Sequence, residues 1–127
     1  MTTSPYKPLP PLAELNPGLQ PVEYKVLVLV AELEERSRGG IIIVDDAKDR
    51  EELAGVEGLL VAVSPMAFKF DEWPQNERAP QPGERVTFAK YAGTIVIGDD
   101  GKKYRIMQDK DITGVRRTAV KLAANAA

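Results

Sequence analysis

The sequence predicts an all-β fold, a small β-barrel of about six short strands with two long loops. Three observations carry this. Short runs rich in Val, Ile, Leu, Tyr and Phe recur along the chain, several with period-two alternation. Gly- or Pro-containing turn signals separate them. No stretch shows the sustained spacing of a long amphipathic helix.

Residues 1–20 form a Pro-rich arm. Pro5, Pro8, Pro10, Pro11 and Pro17 favour extended backbone and remove donors, so the expectation is a loosely docked or disordered arm. Leu12, Leu15 and Leu19 give it something to pack with, or a single helical turn between the prolines. A barrel domain is expected over 21–117. Its first strand is Tyr24–Leu33, with Val26, Val28 and Val30 on one face and Leu27, Leu29 and Ala31 on the other. Both faces are apolar, so both need a cover: the core for one, and the arm or a neighbouring subunit for the other. The first long loop spans 34–55. Glu57–Val63 is the second strand. The second long loop, 64–82, carries Phe68, Phe70 and Trp73. Glu84–Tyr91 alternates, with Val86 and Phe88 inward. Thr94–Ile97 and Lys102–Met107 flank the turn Gly98-Asp99-Asp100-Gly101, a hairpin signal, with Tyr104 and Ile106 inward. Asp109–Asp111 is a tight turn, Ile112–Val115 a last strand, and 118–127 a flexible Ala-rich tail. The terminal strands leave edges, which another copy can pair.

Composition excludes more than it assigns. The 127 residues suit one domain, and a net charge of −2 argues against a dedicated nucleic-acid binder. The basic residues are scattered, and the aromatics cluster in a loop rather than on strands, so no nucleic-acid groove is expected. There is neither cysteine nor histidine, which removes disulfides, thiolate chemistry, the commonest general base and the commonest metal ligand. No dinucleotide or phosphate loop appears. The acids Asp45, Asp46, Asp49, Glu51 and Glu52 do not match a calcium loop and read as a solvated flank. Asp99 and Asp100 read as turn formers. No metal site, cofactor or enzymatic activity is expected. The longest apolar run, Val26–Ala31, is far below the ~20 residues of a membrane span, and the N-terminus lacks a signal-peptide pattern, so a soluble intracellular protein is expected.

One stretch stands apart. Gly39-Gly40 precede Ile41, Ile42, Ile43 and Val44, with charges crowded on both sides. Four β-branched residues are good strand material. The glycines and the surrounding charge instead favour an apolar patch on a loop, able to enter a partner's groove while becoming ordered. Composition leaves both open.

From Pro21 to Val115 the chain resembles the small co-chaperonin family of GroES type. Gly39-Gly40-Ile41-Ile42-Ile43 resembles its mobile-loop anchor. Pro82-Gly83-Glu84-Arg85-Val86 resembles its Val-Gly-Asp-Arg-Val turn. Lys90-Tyr91-Ala92-Gly93-Thr94 is the most specific match, and Asp109-Lys110-Asp111-Ile112 resembles the final turn. The resemblance implies a GroES-like barrel subunit in a seven-membered ring, whose first and last strands pair between neighbours. It implies a homo-oligomeric, non-enzymatic cap on a nucleotide-bound GroEL-type chaperonin in the cytoplasm, with Gly39, Gly40, Ile41, Ile42, Ile43 and Val44 as the chaperonin-binding residues. ATP would be bound by that partner, so no cofactor, nucleic acid or membrane is implied for this chain. The arm and the aromatic loop at Phe68, Phe70 and Trp73, which falls where the family has its roof hairpin, depart from the pattern. Those departures suit a phage-encoded or otherwise specialised member. They also open a second reading, a virion decoration or assembly protein reusing the barrel.

Overall fold

A computed structural model describes residues 6–33, 52–69 and 78–116. Six strands form one antiparallel sheet: β1 (Lys25–Val30), β2 (Glu57–Val63), β3 (Arg85–Phe88), β4 (Thr94–Ile97), β5 (Lys103–Gln108) and β6 (Ile112–Arg116). Their order across the sheet is β4-β5-β1-β2-β3-β6, so β4 and β6 are the edges; the last strand lies at an edge as expected, but the first, β1, does not, because β5 and β2 pair with it on both sides. Register slips at Leu27/Val28 against β2 and at Thr87/Phe88 against β6. Such bulges sharpen local twist and help the sheet curl into a partly open barrel.

The curled interior holds Val26, Val28, Leu60, Val86, Phe88 and Met107, closed by Ala67 and Phe68 from the turn after β2. Burying such side chains contributes about 1.5–3 kcal/mol each. Val86 and Phe88 face inward as their alternation predicts. On β5 the inward residue is Met107, which lies opposite Val26. Tyr104 and Ile106 are instead on the outer side with Leu27, Leu29 and Leu59. The pairing explains the difference: β5 aligns Ile106 with Leu27 and Tyr104 with Leu29, so they share that strand's other face.

The arm covers that outer face. Leu9, Leu15 and Leu19 pack on it, with a short 3-10 turn at Leu12–Glu14 between them. Its far end is latched to the β4–β5 hairpin. Asp99 N–H donates to Pro17 O at 2.8 Å, and Asn16 N–H to Asp100 Oδ2 at 3.0 Å. The Tyr104 hydroxyl reaches the same Asp100 oxygen at 2.6 Å. Burial pushes the Tyr104 phenol well above its ordinary value, and its bond to Asp100 adds to this. Burial opposes ionisation of Asp100, but donors from Tyr104, Asn16 and Lys102 outweigh it and hold the carboxyl below its ordinary value.

Two glycines are required by close approach. A side chain on Gly58 would collide with the Leu29 carbonyl across the β1–β2 pair. Gly93 has φ +74° and presses on the Ile106 carbonyl where the chain turns into β4.

Candidate functional site

The residues singled out for docking, Gly39, Gly40, Ile41, Ile42, Ile43 and Val44, lie outside the described residues. So do Phe70 and Trp73. Phe68 is described, and it joins the barrel interior. Its backbone has φ +61°, and its N–H donates to the buried Asp109 carboxylate at 2.8 Å. Asp109 N–H in turn donates to Tyr24 O at 2.7 Å. This aromatic residue is therefore a plug for the barrel end, held in an unusual backbone geometry by a buried acceptor.

What the structure does show is how the segment 34–51 is entered and left. On the departing side, β1 continues through Ala31, whose N–H donates to Glu57 O at 2.9 Å, to a buried Leu33. There the arm joins it. Tyr6 makes an antiparallel bridge to Leu33, and Lys7 N–H donates to Glu32 O at 2.7 Å. The Lys7–Glu32 ion pair at 3.6 Å is exposed and adds little.

On the returning side, consecutive carbonyls are taken up one after another. Leu53 O accepts from the Tyr6 hydroxyl at 2.7 Å, Ala54 O from Lys90 Nζ at 3.1 Å, and Gly55 O from Arg105 Nη1 at 3.2 Å. Val56 O accepts from Phe88 N–H, and Glu57 O from Ala31 N–H. Arg105 also donates to Lys90 O at 2.6 Å, and its guanidinium lies 5.6 Å from the centre of the Phe88 ring. Donors from the arm, from the turn after β3 and from β5 thus converge on three adjacent peptide groups that precede the β2 ladder.

Tyr6, Ala31 and Leu33, with Leu9 and Leu53, make a third apolar cluster around this base. Burial raises the Tyr6 phenol above its ordinary value. Glu57 pushes it the same way, while Arg116 and Arg85 pull it back. The hydroxyl therefore stays protonated as a donor. Glu57 itself is buried and paired twice: Arg116 clasps it at 2.7 and 3.1 Å, and Arg85 Nη2 lies 2.8 Å away without hydrogen-bond alignment. This triad ties edge strand β6 to β3 and to the start of β2.

Sequence reasoning missed Tyr6. The available signal was a lone aromatic residue in an arm of prolines and leucines. Beside the base, an open groove runs from Lys7–Pro10 to Tyr91, Ile95 and Ile97. Those three are 82%, 53% and 65% exposed, an apolar strip along edge strand β4. Among the described residues no helix is long and apolar enough to cross a membrane.

Comparison with known proteins agrees with the geometry. The family model described as Chaperonin 10 Kd subunit matches residues 18–116. A co-chaperonin GroES of Hyphomonas neptunium is 40% identical over 100 residues, covering 76% of this chain and 95% of that protein. One from Bacillus sp. strain PS3 is 37% identical over 99 residues, covering 78% and 99%. Co-chaperonin GroES 5 of Rhizobium meliloti is 36% identical over 112 residues, covering 84% and 99%.

Proposed function

This chain belongs to the Chaperonin 10 Kd subunit family, and we infer from that membership that it is a co-chaperonin. The observation that carries the reading is the continuous match over residues 18–116, which encloses Gly39-Gly40-Ile41-Ile42-Ile43. The chain works as a subunit of a ring, a heptamer, that caps a nucleotide-bound GroEL-type chaperonin in the cytoplasm. Two features support assembly. The sheet ends in edge strands β4 and β6, and the Glu57–Arg85–Arg116 triad fixes the position of β6. A neighbouring copy pairing on that edge would close the barrel wall into a ring.

Binding rests on the aliphatic anchor. Ile41, Ile42 and Ile43, with Val44 beside them, enter an apolar groove of the chaperonin. Each isoleucine contributes about 1.5–3 kcal/mol before ordering costs. Several loops on one ring then act together, so a weak single contact gives a firm but releasable cap. Nucleotide chemistry belongs to the partner, and this chain is not an enzyme. The virion-component reading draws no support from the matched relatives, which carry co-chaperonin names.

The test is the simultaneous change of Ile41, Ile42 and Ile43 to Ser. The ring should persist by native mass spectrometry, and co-sedimentation with a chaperonin plus ATP should be lost. Unchanged co-sedimentation would show that the anchor lies elsewhere.

A further inference from the structure

The open groove between the arm and edge strand β4 takes its charge from residues far apart in the sequence. Among the described residues its lining holds five basic side chains, Lys7, Lys90, Lys102, Lys103 and Arg105, against one acid, Glu32, in a chain of net charge −2. We propose that this groove is a docking site for an acidic, aliphatic segment of another protein, taken up in extended form along β4. Such docking is independent of the aliphatic anchor and is tested without a chaperonin.

Across the β4–β5 pair, Ile95 lies opposite Arg105 and Ile97 opposite Lys103. By period two, Lys103 and Arg105 share the side of β5 that carries Met107, which faces the barrel interior. The two isoleucines therefore stand on the concave side, beyond the closed core, and with Tyr91 they remain exposed. The cations are not neutralised there. Lys90 Nζ and Arg105 Nη1 bond backbone carbonyls, which satisfy the donors but leave the charges. Lys102 and Lys103 make no ion pair among the described residues. The nearby acids are committed: Glu32 faces Lys7, and Asp100 on the adjoining turn is held by Tyr104, Asn16 and the Lys102 N–H. An acidic partner supplies the missing charge.

Three features select an extended polypeptide. β4 is an edge strand among the described residues, so its outer backbone groups are open to main-chain pairing. The groove, about 1190 Å³ and open, exceeds the ~300–1,000 Å³ of an ordinary small-molecule pocket. Its exposed apolar side chains on β4 are branched aliphatics, and Tyr91 is the one ring in its lining, whereas single-stranded nucleic acid calls for successive stacking rings.

The probe is a fluorescently labelled synthetic peptide of alternating valines flanked by glutamates, titrated by anisotropy against the full-length protein. A matched peptide with lysines for the glutamates and a labelled oligothymidylate serve as comparisons. Two further forms of the acidic peptide are N-methylated at one or the other set of alternate residues. The variants are Lys103→Glu and the pair Ile95→Ser with Ile97→Ser, all at exposed positions. Native mass and melting temperature are followed in parallel.

The expected result is saturable binding of the acidic peptide that weakens as salt rises. Each variant should weaken it by about threefold to tenfold at unchanged native mass and melting temperature. One N-methylated form should fail and the other bind, because only alternate N–H groups of a paired strand face its neighbour. This last comparison uses the wild type alone and stands even if a variant does not fold. Failure of the wild type to bind the acidic peptide, equal binding of the lysine peptide, tighter binding of the oligonucleotide, or wild-type affinity in both variants would overturn the docking site. Equal binding of the two N-methylated forms would overturn the extended pairing along β4. A drop in native mass for the isoleucine variant would show that a second copy of the chain holds β4, and would overturn it as well. None of these outcomes bears on the co-chaperonin reading, which the anchor variant tests separately.

Discussion

The two faces of β1 are equally apolar, yet they are buried by different means. Val26 and Val28 look into the barrel and meet Leu60, Val86, Phe88 and Met107, all supplied by strands and closed by the curl of the sheet. Leu27 and Leu29 look the other way and meet Leu59 and Tyr104, but their lid is the arm, through Leu9, Leu15 and Leu19. The inner face is closed by residues inside the family match. The outer face depends in part on residues before position 18. Part of the outer lid thus comes from residues before the matched region, and the same arm reaches the residues that flank segment 34–51.

The comparison breaks most easily from the inside. Leu60 is fully buried among residues from five strands. Leu60→Ala should lower unfolding free energy by about 2–5 kcal/mol, because the curled sheet cannot collapse into the space left. Urea unfolding followed by circular dichroism measures it. A loss below about 1 kcal/mol would mean that the interior is looser than its burial implies.

Much of this was legible beforehand, and the failures have physical causes. Val86 and Phe88 alternate with the half-exposed Arg85 and Thr87, so period two alone names their inner face. In β5 both faces carry apolar side chains, Tyr104 and Ile106 on one and Met107 on the other, so the period cannot say which is inner. Only pairing with β1 decides it. The arm defeated sequence reading for another reason. Its prolines erase periodicity, and its contacts run to positions far along the chain: Tyr6 to Leu53, Asn16 to Asp100. The expectation of loose docking followed from composition, whereas in the described part of the arm, from Tyr6 on, the structure shows leucines packed and ties at Tyr6 and at Asn16–Pro17. The stretch Gly39-Gly40-Ile41-Ile42-Ile43, read through resemblance as a docking anchor, lies outside the described residues, while the contacts that Tyr6, Lys90 and Arg105 make to Leu53, Ala54 and Gly55 had no sequence signal.

Loss on the outer face should be smaller. Leu15 and Leu19 are only half-buried, so changing both to Ala removes part of a lid rather than a core. The pair should cost about 1–3 kcal/mol in the same urea experiment, with the β-sheet signature retained. A loss equal to that of Leu60→Ala would erase the distinction between the two faces and make the arm a full member of the core.

The mildest probe is pH. The Asp100 carboxylate gathers the Tyr104 hydroxyl, Asn16 N–H and Lys102 N–H, and so latches the arm to the β4–β5 hairpin. Its pKa is lower folded than unfolded, since those donors favour the charged form. Stabilisation of that sign is fully present above the unfolded value, near pH 4, and is lost as pH falls through the lower folded value. The variant Asp100→Asn cannot titrate at this position. Its melting temperature should therefore lie below wild type at neutral pH, and the gap should narrow on acidification below about pH 4 as the wild-type latch is protonated. Because the latch acts on the outer layer alone, the variant should leave Leu60→Ala just as damaging as it is in the wild type. A gap that stays constant through the acid range would mean that the substituted amide disrupts packing rather than removing a charged acceptor. A strong coupling between the two substitutions would mean that the layers are not independent.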